Sequence, residues 1–208
     1  MKKLIRFLLI IILILSLLII YARYGGTRGL ITKEYQIETT IDDSFDGLKI
    51  VHFSDLHYLR IINKETTQSI IEEINLLNPD IVVFTGDLID KDYKPNDKDI
   101  SNLKELLTSI KSKYGKYSVL GEHDIKVEDT IKDIYISSNF TLLDNSYDVI
   151  YGNNNNKLFI GGLSNNPDID KVMNYFTENE DINYKIILVH EPDYIDTITS
   201  KYNNTNLV

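Results

Sequence analysis

The sequence predicts an α/β domain behind a single membrane-spanning helix, and three observations carry that prediction. Leu4 to Ala22 is apolar except for Arg6 and Ser16. Beyond it, apolar runs of strand length alternate with segments of helical periodicity in the order strand, helix, strand, helix, strand, the mark of crossover units and a largely parallel sheet. Four of the apolar runs stop abruptly at Asp, Glu or His. In open α/β sheets, ligands sit outside the carboxyl ends of the strands.

At about 1.5 Å per residue, Leu4 to Ala22 matches the roughly 30 Å of a bilayer core. Phe7 to Ile20, behind Lys2, Lys3 and Arg6, would also serve as the apolar region of a signal peptide. Tyr21-Ala22-Arg23-Tyr24 is a poor cleavage site, so a retained anchor over residues 1–24 is expected. Lys2, Lys3, Arg6 and the terminal amine precede the span, against Arg23, Arg28 and Lys33 after it. That balance tips narrowly toward a cytoplasmic N-terminus and an extracytoplasmic domain on a single-pass cell-membrane protein.

Residues 25–47 are expected to form a linker, Gly25-Gly26-Thr27-Arg28-Gly29, and a first strand over Ile31 to Ile41, with Tyr35, Ile37, Thr39 and Ile41 on one face. Asp42 to Gly47 turns the chain into a globular domain over residues 48–208. Its first run is Lys49 to Phe53. A helix over Lys64 to Leu77 follows, N-capped by Asn63, striped by Ile70, Ile71, Ile74 and Leu77, and closed by Asn78-Pro79. Ile81 to Thr85 is the next strand. A second helix, Ile100 to Lys113, carries Leu103, Leu106, Leu107 and Ile110 on its stripe and ends at Gly115. Tyr117 to Leu120 is again a strand, and Glu128 to Ser137 a helix. Phe140 to Leu143, Asp148 to Tyr151 and Lys157 to Ile160 are expected as short strands of a second sheet. The Asn153 to Asn156 run suits a hairpin loop. A helix over Asp168 to Thr177 and a strand over Tyr184 to Val189 complete the pattern.

The chain has no cysteine, which excludes disulfides, thiolate metal sites and thiol nucleophiles. Any metal must be held by nitrogen and oxygen ligands, which suits Mn, Fe, Zn, Mg or Ni. Residues 1–33 hold six of the 22 Lys and Arg and none of the 31 Asp and Glu, so the remainder has 16 basic against 31 acidic residues and a formal charge of −15. A surface that negative repels long polyanions, and nucleic acid is not an expected partner.

The chemistry lies at the strand ends. Asp55 and His57 stand two apart after Lys49 to Phe53; taken alone, such a pair is more often a turn carboxylate and a surface imidazole. In an extended chain, both would offer ligand atoms on one side. Gly86-Asp87, Gly121-Glu122-His123-Asp124 and Val189-His190 end the other three runs, and three of the four histidines fall in this set. His52 lies inside its strand and is expected to be a satisfied core or interface histidine, while Asp80 and Asp90 are expected to be turn carboxylates.

The ordered set Ser54-Asp55-Leu56-His57, Gly86-Asp87, Gly121-Glu122-His123-Asp124 and Val189-His190 resembles the calcineurin-like metallophosphoesterases, most of all their membrane-attached bacterial branch, from about Leu48 to the C-terminus. The resemblance implies an αββα sandwich, two sheets face to face with helices outside each. It implies two divalent metal ions, one held by Asp55, His57 and Asp87 and the other by Asp87, Glu122 and His190. His123 would approach the phosphate and Asp124 would orient it. The implied reaction is hydrolysis of a phosphodiester or pyrophosphate bond in a small or lipid-linked substrate, by water held between the ions. Glu122 stands where the family usually has Asn. The family's closing Gly-His-x-His is absent, so the domain is expected to be C-terminally incomplete, or else to be a catalytically defective, membrane-anchored binding domain. A nucleotide-binding α/β domain is disfavoured, because no Gly-rich phosphate loop stands at a strand–helix junction.

Overall fold

The computed structural model describes residues 2–24, 29–153, 156–178, 184–202 and 205–208. Four residues of the expected linker, 25–28, and two of the Asn run, 154–155, lie outside them. The chain divides into two units, Met1–Glu38 and Thr39–Val208.

In the first unit, helix α1 (Lys2–Tyr24) is apolar on every side. Its segment Lys2–Ala22 has a mean hydropathy of 3.0 and is long and apolar enough to cross a membrane, a property that a signal sequence shares. The strand expected over Ile31 to Ile41 does not form. Its alternation is present, but among the described residues no strand pairs with it, and Ile31 and Tyr35 are about four-fifths exposed. Alternation fits a segment for a sheet; inter-strand hydrogen bonds make it one.

The second unit opens with a turn at Asp43–Phe45, capped by the Asp42 carboxylate and burying Phe45. Strand β1 (Ile50–Phe53) leads through α2 (Lys64–Leu76) to β2 (Ile81–Phe84), then through α3 (Asp97–Thr108) to β3 (Gly115–Ser118), and through α4 (Glu128–Ser137) to β4 (Phe140–Leu142). These four strands form one parallel sheet in the order β1-β2-β3-β4. The expected place of Phe140 to Leu143 in a second sheet is therefore corrected. Helix α4 is one more crossover, and it returns the chain parallel to β3. The second sheet holds β5 (Ser146–Tyr151), antiparallel to β6 (Lys157–Gly162), which runs parallel to β7 (Tyr184–Leu188). Helix α5 (Ile169–Glu178) joins β6 to β7, and α6 (Ile195–Lys201) follows.

Period-two side chains sort the core into three layers. Val82 and Phe84 of β2 face Ile71 and Ile74 of α2, Leu103 and Leu107 of α3, and Ile131 and Ile134 of α4. Ile81 and Val83, on the opposite face, pack with Ile150, Leu158, Ile160, Ile186 and Leu188 of the second sheet. Phe159 and Ile187 then face Val172, Met173 and Ile198 on the outer helices. The result is helices, sheet, sheet, helices, as an αββα sandwich requires. Two buried lysines interrupt it: Lys116 of β3, whose Nζ donates to the Leu107 carbonyl at 2.9 Å, and Lys185 of β7.

Candidate active site

Because β1, β2, β3 and β7 all end at one edge of the sandwich, the loops after them bring their polar residues together. The loop after β1 docks on the loop after β2 through backbone hydrogen bonds from Asp55 N to Gly86 O, His57 N to Asp87 O and Tyr58 N to Leu88 O, at 3.0, 3.0 and 2.9 Å. Asp55, His57 and Asp87 all take left-handed backbone conformations, with φ of 54°, 38° and 60°. Asp55 and His57 thus converge through loop geometry rather than through the extended chain that their spacing suggests. The φ of 97° at Gly86 suits glycine. A Cβ there would collide with the backbone of Gly121, and one on Gly121 would collide with Asp87.

Asp87 is the hub. Its Oδ1 accepts the His123 N–H at 2.9 Å. Its Oδ2 lies 3.4 Å from His57 Nε2 and 3.7 Å from His190 Nε2. Asp55, whose Oδ2 accepts from the Ser54 hydroxyl, places Oδ1 3.9 Å from His57 Nε2. Ligand atoms of Asp55, Asp87 and His190 lie within 4.8 Å of one another, as do those of His57, Asp87 and His123.

The hydrogen bonding also fixes protons. His190 Nδ1 is 2.7 Å from the Thr85 carbonyl, an acceptor only, so Nδ1 carries the hydrogen and Nε2 turns a lone pair toward Asp87. The Lys91 N–H donates to His123 Nδ1 at 3.3 Å, which leaves the hydrogen of a neutral ring on Nε2. His57 Nδ1 is buried and without a hydrogen bond, its nearest anion being Asp90 Oδ2 at 3.5 Å. Imidazole lone pairs aimed at a nearly buried carboxylate repel it unless a proton or a cation lies between them. This donor set fits divalent metal ions.

Two expected site residues stand elsewhere. Glu122 is outside both groups, with its side chain 63% exposed and its Oε1 3.5 Å from Lys91 Nζ. A long charged side chain finds water and a cation there at less cost than a place among more carboxylates. Asp124 does not orient His123. It is fully buried, and its carboxylate accepts backbone N–H groups: Asp87 and Gly121 on Oδ2 at 2.9 and 3.0 Å, Leu88 and Ile89 on Oδ1 at 2.9 and 3.4 Å. Burial pushes its carboxyl up to about 6, against the pull of those N–H groups.

The carboxylate beside His123 is Asp90, which sequence reasoning placed in a turn. It is buried, and its Oδ2 lies 3.5 Å from both His57 Nδ1 and His123 Nδ1. The Asp92 N–H, then Arg60 and the two histidines, hold its carboxyl below the usual range. Its position three residues after Asp87, in Gly-Asp-x-x-Asp, was the available signal. His52 is satisfied as expected, its Nε2 lying 2.8 Å from Thr85 Oγ1, but it is exposed and not in the core.

Fold and cluster together define an αββα domain with a histidine and carboxylate centre suited to divalent metals. The profile of the calcineurin-like phosphoesterase family matches residues 48–207, and the chain belongs to that family. It is 33% identical over 182 residues to YkuE, an uncharacterized metallophosphoesterase of Bacillus subtilis, covering 83% of this chain and 61% of the relative. It is 35% identical over 78 residues to the UDP-2,3-diacylglucosamine pyrophosphatase LpxG of Chlamydia muridarum, covering 38% and 23%. It is 33% identical over 89 residues to a Danio rerio transmembrane protein with metallophosphoesterase domain, covering 43% and 20%. The chain spans less than two thirds of the length of each of these relatives.

Proposed function

We propose that the protein is a phosphohydrolase tethered to the cell membrane, its domain on the extracytoplasmic side, that cleaves a phosphodiester or pyrophosphate bond in a small or lipid-linked substrate. The observation that carries the reading is the Asp87 carboxylate set between His57 Nε2 and His190 Nε2, with the His190 tautomer fixed by Thr85. Asp55, His57 and Asp87 would hold one divalent ion and Asp87 with His190 the other, while Glu122 stands outside this set. When bound, such a pair of ions supplies Lewis acidity to phosphoryl oxygens and lowers the pKa of water to near neutrality. The chain's own residues do the rest. His123 presents Nε2–H to the leaving oxygen as general acid or hydrogen-bond donor, with the Lys91 N–H holding its other face through Nδ1. The resemblance to LpxG supports a lipid-linked diphosphate as one substrate class, and α1 supports a site near a membrane.

The test is hydrolysis of bis(p-nitrophenyl) phosphate by the full chain in detergent, stripped with EDTA and reloaded with Mn2+. Activity should disappear on stripping and return on reloading. Asp87→Ala should lower kcat/KM by about a thousandfold or more, since it removes a ligand common to both ions. Metal-independent turnover, or an Asp87→Ala variant within about tenfold of the parent, overturns the assignment.

A further inference from the structure

Asp124 is the most deeply buried carboxylate beside the cluster, and the chemistry just described gives it no task. We propose that Asp124 is the positioning residue for Asp87, and that the metal affinity of the cluster depends on it; the inference rests on the reading of Asp87 as the shared ligand. Three of its four N–H donors, Asp87, Leu88 and Ile89, belong to the loop after β2, and the fourth, Gly121, belongs to the loop after β3. One carboxylate therefore pins the two loops whose glycines approach too closely for any Cβ.

Asp87 sits at φ 60°, a left-handed conformation that is strained for a non-glycine residue. The charge-assisted bond from its own N–H to Asp124 offsets that strain and fixes its backbone. Its Oδ1 is fixed in turn by the His123 N–H, so that Oδ2 is the atom left facing His57 and His190. An amide at position 124 offers one oxygen instead of two and turns an NH2 toward backbone donors, leaving buried N–H groups unpaired. The loops would then relax, and Asp87 would leave the left-handed conformation.

Calorimetric titration of the EDTA-stripped full chain with Mn2+, at a temperature where circular dichroism shows each variant folded, tests this. Asp124→Asn should weaken Mn2+ binding by about 10- to 100-fold, the effect expected of a group that orients a ligand. At saturating Mn2+, kcat should fall while KM for bis(p-nitrophenyl) phosphate changes little. A residue that only stabilises the fold would lower the melting temperature and leave both the Mn2+ affinity of the folded protein and kcat in place. Gly121→Ala, which displaces Asp87 with Asp124 intact, should lose affinity as well, and Asp124→Ser, with a single smaller acceptor, replaces the Asn variant if that does not fold. Affinities within about threefold of the parent in these variants overturn the inference. A parent chain that binds no Mn2+ overturns the two-metal reading itself.

Discussion

At the scale of single residues, the sequence carried the side chains that gather at the strand ends and left out their surroundings. Asp55, His57, Asp87 and His190 were legible because each interrupts an apolar run at a strand end, and the fold brings those ends together. Glu122 was misplaced because a strand-end position says nothing of where a flexible side chain goes, and here it goes to Lys91. Asp124 is turned away from His123, while Asp90, a turn carboxylate as expected that accepts the Asp92 N–H, also comes beside it. A carboxylate next to a histidine in sequence is not its neighbour in space when the backbone turns between them. Asp90 Oδ2 lies 3.5 Å from the Nδ1 atoms of His57 and His123, and an Nδ1–H on His57 would point at it. Replacing it with Asn keeps the shape and removes the charge. Asp90→Asn should lower kcat/KM by about 10- to 100-fold, with weaker Mn2+ binding through His57 as part of the loss. Unchanged kcat/KM and unchanged Mn2+ affinity would show that Asp90 serves its turn alone.

At the scale of elements, helix limits were legible wherever a cap was. Asn63 accepts from the Thr66 N–H and starts α2, as its sequence suggests. Asn96 accepts from the Asp99 N–H and starts α3 three residues before the stripe-based estimate, because capping sets a helix start while apolar periodicity marks only the buried face. Strand pairing was less legible, since partners are chosen by the packing of whole crossovers: hence the absent strand at Ile31 to Ile41 and the transfer of β4 to the first sheet. Lys116, in the second position of β3, is a further cost of packing. Burial lowers its ammonium from 10.5 to about 8, even with the Leu107 carbonyl and the Phe140 ring beside it. Between those values the unfolded chain holds a proton that the folded chain has released, so stability from this group rises with pH, and its penalty is full below about pH 8. The gap corresponds to roughly 3 kcal/mol as an upper figure. Lys116→Met should therefore raise the melting temperature at pH 7 and flatten the rise in stability between about pH 8 and 10 relative to the parent. The difference between the two proteins cancels Tyr117 and Lys185, which titrate in both. Parallel pH curves would show that Lys116 reaches water in the folded state.

At the scale of the whole molecule, the chain has two surfaces of opposite character. Beyond residue 33 the chain carries a formal charge of −15, a surface that water solvates well. Helix α1 presents the reverse: Leu4, Phe7, Leu13, Leu17 and Ile19 are all more than half exposed, with no polar face that could turn to solvent. The 21 residues of Lys2–Ala22 rise about 31 Å, the thickness of a hydrocarbon core. Burying that surface at about 25 cal/mol per Å2 makes transfer to a bilayer strongly favourable. A cleaved signal sequence and a retained anchor both satisfy this physics, and they part at the cleavage step. The poor site at Tyr21-Ala22-Arg23-Tyr24 predicts retention. Expressed cells should then yield the chain at its full 24.0 kDa in the membrane fraction, resisting high-salt and alkaline carbonate washes and released by detergent, with the native N-terminus on mass analysis. A soluble product shortened by about twenty residues would make the segment an export signal. The domain would then be free in its compartment, and the case for a substrate held in the membrane would fall with the anchor.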